Sequence, residues 1–543
     1  MIRLLSLTML LVTAEAINAQ GGKSSDLTLF TARNLYITGE SIQAEIITDA
    51  KNTNFPLYVY CDLIGQDGHF LEGNKYKIIK PNTRIIIAIP DEFVSGNYLL
   101  RAYTRAMYTE PQNYAVQPLK IVNPYSEVVL PVPQKRDKQN LIAISASESA
   151  ISKGVSLSIN KRNIGRRQAV ECTFKVDTNL FIPSSLCLSV LSDSSFLPRL
   201  SDWQVQKPNV TIKPLETKGL LLRGQVFSVK TKQAIADESI YLGLLGSRDL
   251  MTARSDSLGR FAVRMPDYYG THELIISPEV DKGQVNIKLD KEFDTRPLFT
   301  DNHKFALSYS EQEVALNLAQ NRAVTANFTT VVESANTDSI VANRVFYNQA
   351  DDSIIIMEYV DLPNLPMYFT ELPGDVHLHK RKGNYSMRIN DANGIPLLLK
   401  PLLMVDFIPI TDLQSIMKID PKQLNRIEVI NSYYQKGELS FGGIVNFISN
   451  KGNFGNIDFP SNSLSINFDF LSKTAENRSK IDHKPQNDSP IPDSRATIAF
   501  SPIPAKGKYL CYTSDVIGKY YIIIQMLDKK AKKHYFMYHF LVK

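Results

Sequence analysis

Few residues in this chain sit at spacings that do chemistry. His377-Leu378-His379 would place two imidazoles on one face of a strand, since alternate side chains share a face. A metal site needs three or four such ligands, and Lys380 and Arg381 alongside fit a solvated strand better. Asp67-Gly68 and Asp256-Ser257-Leu258-Gly259 look superficially like calcium loops, but few further carboxylates stand near them, so turns are expected. Arg426 and Glu428 lie two apart in an alternating stretch, the placement of a structural ion pair rather than of a catalytic acid. No Gly-x-Ser-x-Gly, His-Glu-x-x-His or phosphate-binding glycine loop occurs. The expectation is a protein with no catalytic residues, no metal and no cofactor.

Composition narrows the class further. Cys61, Cys172, Cys187 and Cys511 are too few among 543 residues to build a disulfide scaffold. Cys172 and Cys187 could pair if they lie on neighbouring strands; four free, buried thiols is the alternative. The chain carries 61 Lys and Arg against 55 Asp and Glu, a mild +6 with no long basic run, which argues against a nucleic-acid partner. Arg3, the apolar stretch Leu4 to Val12 and the small residues ending at Ala19 read as an export signal spanning 1–19. No Cys follows it to carry a lipid. No later stretch approaches the ~18 apolar residues of a membrane helix, so a periplasmic protein is expected.

Positioning must come from β structure. There are 25 Tyr and 25 Phe with many Val, Ile and Thr. Short alternating strands between Gly, Pro and Asp turns predict β-sandwiches over 25–122, 140–210 and 218–290, with Pro131, Pro133 and Gln134 to Gln139 as a linker. Trp203, the only tryptophan, is expected in a core. A connector, 303–350, holds one helix, with Ser310 and Glu313 at capping-box spacing and Val314, Leu318 and Ala319 as its apolar face. An α+β unit spans 358–456. A polar linker, 472–493, leads to a C-terminal β segment, 500–543, that could complete a sandwich edge. The fold class is mainly β: tandem Ig-like β-sandwich domains plus one α+β domain.

Two of the sandwiches carry family resemblances. Leu35-Tyr36-Ile37-Thr38-Gly39-Glu40-Ser41 and Ser95-Gly96-Asn97-Tyr98-Leu99-Leu100-Arg101-Ala102-Tyr103-Thr104 resemble the opening and closing strands of macroglobulin-type domains. No cysteine here begins the Cys-x-x-Gln thioester of covalent protease traps. Leu222 to Val226, Thr231 to Asp237 and Arg254 to Phe261 resemble the carboxypeptidase regulatory-like domain. That resemblance implies a seven-stranded sandwich serving as spacer or docking module.

The stretch 358–456 is the most informative. Leu402 to Ile410 predicts a strand ending at a proline turn, and Asp420 caps a short helix with Pro421 at its first position. Arg426 to Ile430 and Gly442 to Ile448 predict further strands. Met404-Val405-Asp406-Phe407-Ile408-Pro409, then Arg426-Ile427-Glu428-Val429, then Gly442-Gly443-Ile444-Val445-Asn446 resemble, in order, three motifs of the plug domain of TonB-dependent outer-membrane receptors. Phe407 replaces the family's Gly, and Ser432 to Ser440 lacks its small, Ala-rich stretch; both departures point away from ligand-gated transport. A receptor's own 22-stranded barrel needs roughly 200 residues or more at about 9–11 per strand, against the 87 after Asn456.

The resemblance therefore implies a plug whose barrel belongs to another chain. The combination of modules resembles the separate plug subunits of type 9 secretion translocons in Bacteroidota. The expected partner is a large outer-membrane β-barrel protein, a secretion translocon or a receptor, through which alone the chain meets the membrane. The expected role is to occlude that barrel's periplasmic mouth. Rival expectations are an accessory docking protein of a nutrient-uptake receptor, and a surface adhesion or protease-binding module. Pore-facing residues are expected in the loops after Ile410 and Ile430, with the strands Met404 to Ile408 and Arg426 to Ile430 as core.

Overall fold

In a computed structural model the described residues are 27–48, 54–126, 150–152, 154–161, 163–196, 203–205, 216, 219–279, 285–300, 305–328, 345–358, 362–371, 374–456, 463–475 and 491–543. The export signal, the linker Pro131 to Gln139, the Trp203 side chain and most of 472–493 lie outside them. Among the described residues, no helix is long and apolar enough to cross a membrane.

The first sandwich packs a three-stranded sheet (Leu27–Thr31, Ser41–Thr48, Asn82–Ala88) on a five-stranded one (Leu35–Ile37, Ala115–Val122, Gly96–Tyr103, Leu57–Ile64, Phe70–Ile78). Period-two alternation makes the packing face: Thr83, Ile85 and Ile87 of one strand turn inward while Arg84 and Ile86 lie nearer the surface. The charged residue of the closing strand goes inside. Arg101 is 1% exposed and forks onto Asp62 through Nε at 2.8 Å and Nη2 at 2.6 Å. Its Nη2 also donates to the Asp294 carbonyl at 2.6 Å. Tyr103 donates to Asp62 at 3.0 Å. This closing motif thus fastens a segment nearly 200 residues away.

The modules expected at 140–210 and 500–543 form one sandwich. Its four-stranded sheet runs Lys506–Tyr512, Ala169–Val176, Val155–Ile159, Ala150–Ser152. Its five-stranded sheet runs Asn163–Ile164, Lys533–Val542, Gly518–Leu527, Cys187–Leu191, Thr497–Pro502. The tail supplies four of these nine strands and is no mere edge. The reason is in its sequence: Tyr520 and the run Ile522 to Leu527 are buried, so the strand needs neighbours on both sides. It finds them in Cys187–Leu191 and Lys533–Val542. Cys172 and Cys187 lie in opposite sheets of this sandwich, and all four cysteines are buried thiols that form no disulfide.

A third sandwich is nested inside this outer one, between its strands Cys187–Leu191 and Thr497–Pro502. It pairs Arg260–Arg264, Leu221–Ser228 and Val285–Leu289 against Leu250–Arg254, Ser239–Leu244, Thr271–Pro278 and Leu464–Asp469. Its seventh strand comes from beyond the α+β unit, so the expected boundary at 290 encloses only six. The α+β unit is nested in turn within this sandwich.

The connector helix runs Tyr309–Phe328, and its capping box is Ser308 with Glu311 instead of Ser310 with Glu313. Glu311 accepts from Ser308 N at 2.7 Å and returns its own N–H to Ser308 Oγ at 3.3 Å. The shift follows from burial: Lys120 reaches both Glu311 oxygens at 2.8 Å, pulling that turn onto the first sandwich. Val314 and Leu318 then pack with Leu35 and Ile37.

Lys533 joins the outer sandwich to the first. Its Nζ donates to the Leu29 carbonyl at 3.0 Å and Gln117 Oε1 at 2.9 Å, and burial lowers its pKa to about 8. The unfolded chain therefore holds this proton more tightly than the folded one, and stability rises as pH climbs from about 8 towards the ordinary lysine value. Chemical denaturation between pH 7 and 9.5 should show this rise in the wild type, and Lys533→Met should flatten it. Equal slopes for both proteins would show that the ammonium is solvated in the fold.

Candidate functional site

The α+β unit builds a mixed sheet in the order Asp352–Ile355, Leu424–Ile430, Ile444–Ser449, Leu402–Val405, Ile408–Pro409. Leu402–Val405 and Ile444–Ser449 are parallel; the other neighbours are antiparallel. The helix Leu365–Glu371 and the hairpin Val376–Arg381 with Asn384–Ile389 cover it, closing a core around Tyr368, Ile389, Ile427 and Phe447. Asp420 caps the short turn Pro421–Gln423 by accepting from Lys422 N at 3.0 Å.

The expected strand Leu402 to Ile410 is broken. Asp406 and Phe407 both have positive φ, 48° and 67°, and the chain doubles back so that Met404 pairs with Pro409 and Val405 with Ile408. That backbone suits a two-residue hairpin. For a non-glycine pair it costs on the order of 1 kcal/mol or more per residue. A polar knot holds it. Asp406 accepts from Ser449 N at 2.8 Å, Ser449 Oγ at 2.6 Å and Phe454 N at 3.0 Å. Phe407 N donates to Asn446 Oδ1 at 3.3 Å, and its ring stacks on Tyr347 with centroids 6.1 Å apart.

Asn446, fully buried, donates through Nδ2 to the Tyr347 hydroxyl at 2.8 Å. Tyr347 donates to Glu428, whose other oxygen accepts from Arg426 Nε at 2.8 Å. Burial, reinforced by Glu428, pushes the Tyr347 hydroxyl well above its ordinary pKa, so it stays a donor. Gly442 and Gly443 complete the assembly. A Cβ at Gly442 would lie 2.1 Å from the Leu399 carbonyl oxygen, and Gly443 has φ +87° with Ile430 O 2.4 Å from any Cβ.

The structure thus gathers Asp406, Phe407, Arg426, Glu428 and Asn446 into one network, and buries Met404, Val405, Ile408, Ile427, Val429 and Val445 beside it. Every one of these groups is committed to holding the unit together. Arg426 with Glu428 is the ion pair that their spacing suggests. Tyr347 and Ser449 are the members that sequence reasoning missed. Tyr347 lies in the connector, before the first motif, and no local pattern marks it.

The other candidates are dispersed. His377 and His379 are exposed, and His377 meets Asn390 at 2.8 Å. Among the described residues, no group of three or more His, Cys, Asp or Glu could hold a metal ion. Asp256 turns its loop by accepting from Leu258 N and Arg260 N, both at 2.9 Å; these bonds, with the Arg260 ion pair, hold its pKa below the usual carboxylate range.

The surface of the unit offers a more distinctive feature. The residues after Ile410 pass at once into the helix Leu413–Ile416, capped by Asp412 accepting from Gln414 N at 3.0 Å, so no free loop exists there. After Ile430, Tyr433 stands 57% exposed. Its hydroxyl accepts from Leu398 N at 3.1 Å, in a turn the sequence analysis passed over. That turn exposes Ile395 (61%), Leu398 (90%) and Leu399 (44%). It is nonetheless rigidly built: Asp391 accepts from Asn393 N and Ile395 N, both at 2.9 Å, Leu397 is buried, and Gly442 N donates to Lys400 O at 2.9 Å. Beside it a cleft of about 500 Å³ opens between the unit and the nested sandwich, walled by Tyr241, Glu279, Leu402, Leu413 and Phe441.

Removing the knot's anchor should loosen the unit. Asp406→Ala leaves two backbone N–H groups and a hydroxyl without their acceptor, a loss of about 2–3 kcal/mol. Hydrogen exchange of the Ile444–Ser449 amides should quicken on the order of 100-fold, with the outer sandwich unchanged. Unaltered exchange would show that the hairpin holds without the carboxylate.

No protein-family model matches the chain, and no curated protein matches it. Solved structures similar to it include Salmonella alpha-2-macroglobulin reacted with methylamine (9% identity, 96% of this chain, 23% of that chain, TM-score 0.16). Trypsin-activated alpha-2-macroglobulin from Escherichia coli is another (10% identity, 96% of this chain, 42% of that chain, TM-score 0.22). The D0-D1 domain of intimin is a third (10% identity, 50% of this chain, 97% of that chain, TM-score 0.14). The chain spans less than half the length of either macroglobulin. Likeness at these scores carries no inference about activity.

Proposed function

We propose that the chain is a non-enzymatic plug subunit that occludes the periplasmic mouth of a large outer-membrane β-barrel made by another chain. The observation that carries this reading is the placement of the α+β unit. It has its own core, yet every described strand that follows it returns to a sandwich: Leu464–Asp469 to the nested one, and the four strands from Thr497 onward to the outer one. None of those strands is left to form a wall around the unit. A wide aqueous pore leaks unless a compact body fills it, and a unit knotted by buried hydrogen bonds is suited to seal without deforming. The sandwiches are arms that present it. The barrel we favour is the type 9 protein secretion translocon, from the resemblance of the module combination; a nutrient-uptake receptor would use the same surface.

A tag after Lys543, mild detergent extraction of outer membranes and mass spectrometry of what co-purifies test the proposal. A very large β-barrel protein at fixed stoichiometry is expected, and its identity decides between secretion and uptake. Recovery of the chain alone, or only with soluble periplasmic proteins, overturns the reading.

A further inference from the structure

Resting on that reading, we infer that the turn Ile395 to Leu399, with Tyr433, is the end of the unit that docks into the partner barrel, in an apolar protein pocket with a basic rim. Leu398 is 90% exposed, although its neighbours on both sides are fixed by hydrogen bonds. A pinned, solvent-facing leucine gains nothing for the fold of its own chain. Held rigid, it costs little entropy to bury in a partner, which is how hot-spot side chains behave. Tyr433 stands beside it with an apolar ring and a hydroxyl engaged to the Leu398 backbone.

The charges around this tip choose the partner's chemistry. Asn431, two residues before Tyr433, is bonded to Asp351 (3.0 Å) and Asp375 (2.7 Å), and Asp391 builds the turn itself. The one cation of the turn, Lys400, faces Glu279 at 3.7 Å. An acidic rim around an apolar tip repels anionic lipid headgroups and complements arginine or lysine around an apolar cavity. At the opposite end of the sheet Phe407 and Phe454 are buried and the backbone is committed to Asp406, while Met357 is exposed there without such a turn around it.

The test uses the full-length chain with Leu398→Asp and, as a control, Met357→Ser, which removes an equally exposed apolar side chain (86%) elsewhere on the unit. Both sites are exposed, so both variants should melt like the wild type. With the barrel recovered by the wild type as the probe, Leu398→Asp should lose at least about tenfold of the co-purified barrel. Met357→Ser should lose none, and a photo-crosslinker at 398 should join the chain to the barrel. Equal recovery by Leu398→Asp overturns the docking surface and leaves the plug reading standing. If the wild type recovers no barrel, the plug reading fails separately. Flotation of the wild type, but not of Leu398→Asp, on phosphatidylcholine or phosphatidylglycerol vesicles would assign the tip to lipid, and a 398–398 crosslink would assign it to a second copy; either overturns the inference.

Discussion

The architecture depends on one constraint: each outer module is closed by strands that arrive only after the inner one has been threaded. Ser189 and Gln525, bonded at 3.3 Å in the outer sandwich, are 336 residues apart in sequence. Closing an unstructured loop of that length carries an entropic cost that grows with the logarithm of its length. A folded insert shortens the effective loop, because its ends already lie near one another. The two-stranded ribbon of Trp203–Val205 with Leu298–Thr300 closes the part of the insert that carries the first six strands of the nested sandwich. Inner-before-outer assembly is therefore the order that the topology favours.

The same constraint explains why the module boundaries are so polar. Where the first sandwich meets the nested one, Arg101, Asp62, Tyr103, Tyr114 and Asp294 share one buried network, and Lys75 meets Glu292 at 2.7 Å. Tyr58 and Lys77 both reach Asp267. Buried ionic networks add little net stability compared with apolar packing, but breaking one partner is expensive. They fix one relative placement of two sandwiches that hydrophobic contact alone would let slide. A body that sits in a pore at one orientation, as proposed, needs arms that hold one geometry.

Much of this was legible in the sequence, and the parts that were not share a cause. Alternation marked the strands of the first and nested sandwiches, and Asp420 with Pro421 marked a turn that the structure keeps. The hairpin at Asp406 and Phe407 was hidden, because neither residue is glycine and the apolar run around them reads as one strand. The capping box was placed two residues late, because spacing alone cannot know that Lys120, from another module, will claim Glu311. The seventh strand of the nested sandwich was passed over and the tail was read as a separate C-terminal segment, because pairing partners more than 150 residues apart leave no local trace. Tyr347 was missed because its partners Glu428 and Asn446 lie 81 and 99 residues further on, outside any local pattern.

Phe407 and Leu398 both break local rules in this unit, and they break them differently. Phe407 holds a backbone conformation that suits glycine, but Asp406, Asn446 and Tyr347 compensate within the chain, so the irregularity is structural. Leu398 holds an apolar side chain in water on a rigid turn, and nothing in the described chain compensates it. Natural sequences are consistent across levels except where a partner or a reaction supplies the missing term. By that logic the motif residues explain how the unit stands up, and the turn beside Tyr433 is the place proposed to meet a partner. Sequence motifs and functional surface need not coincide: here the residues that make the unit recognisable are those that its core required.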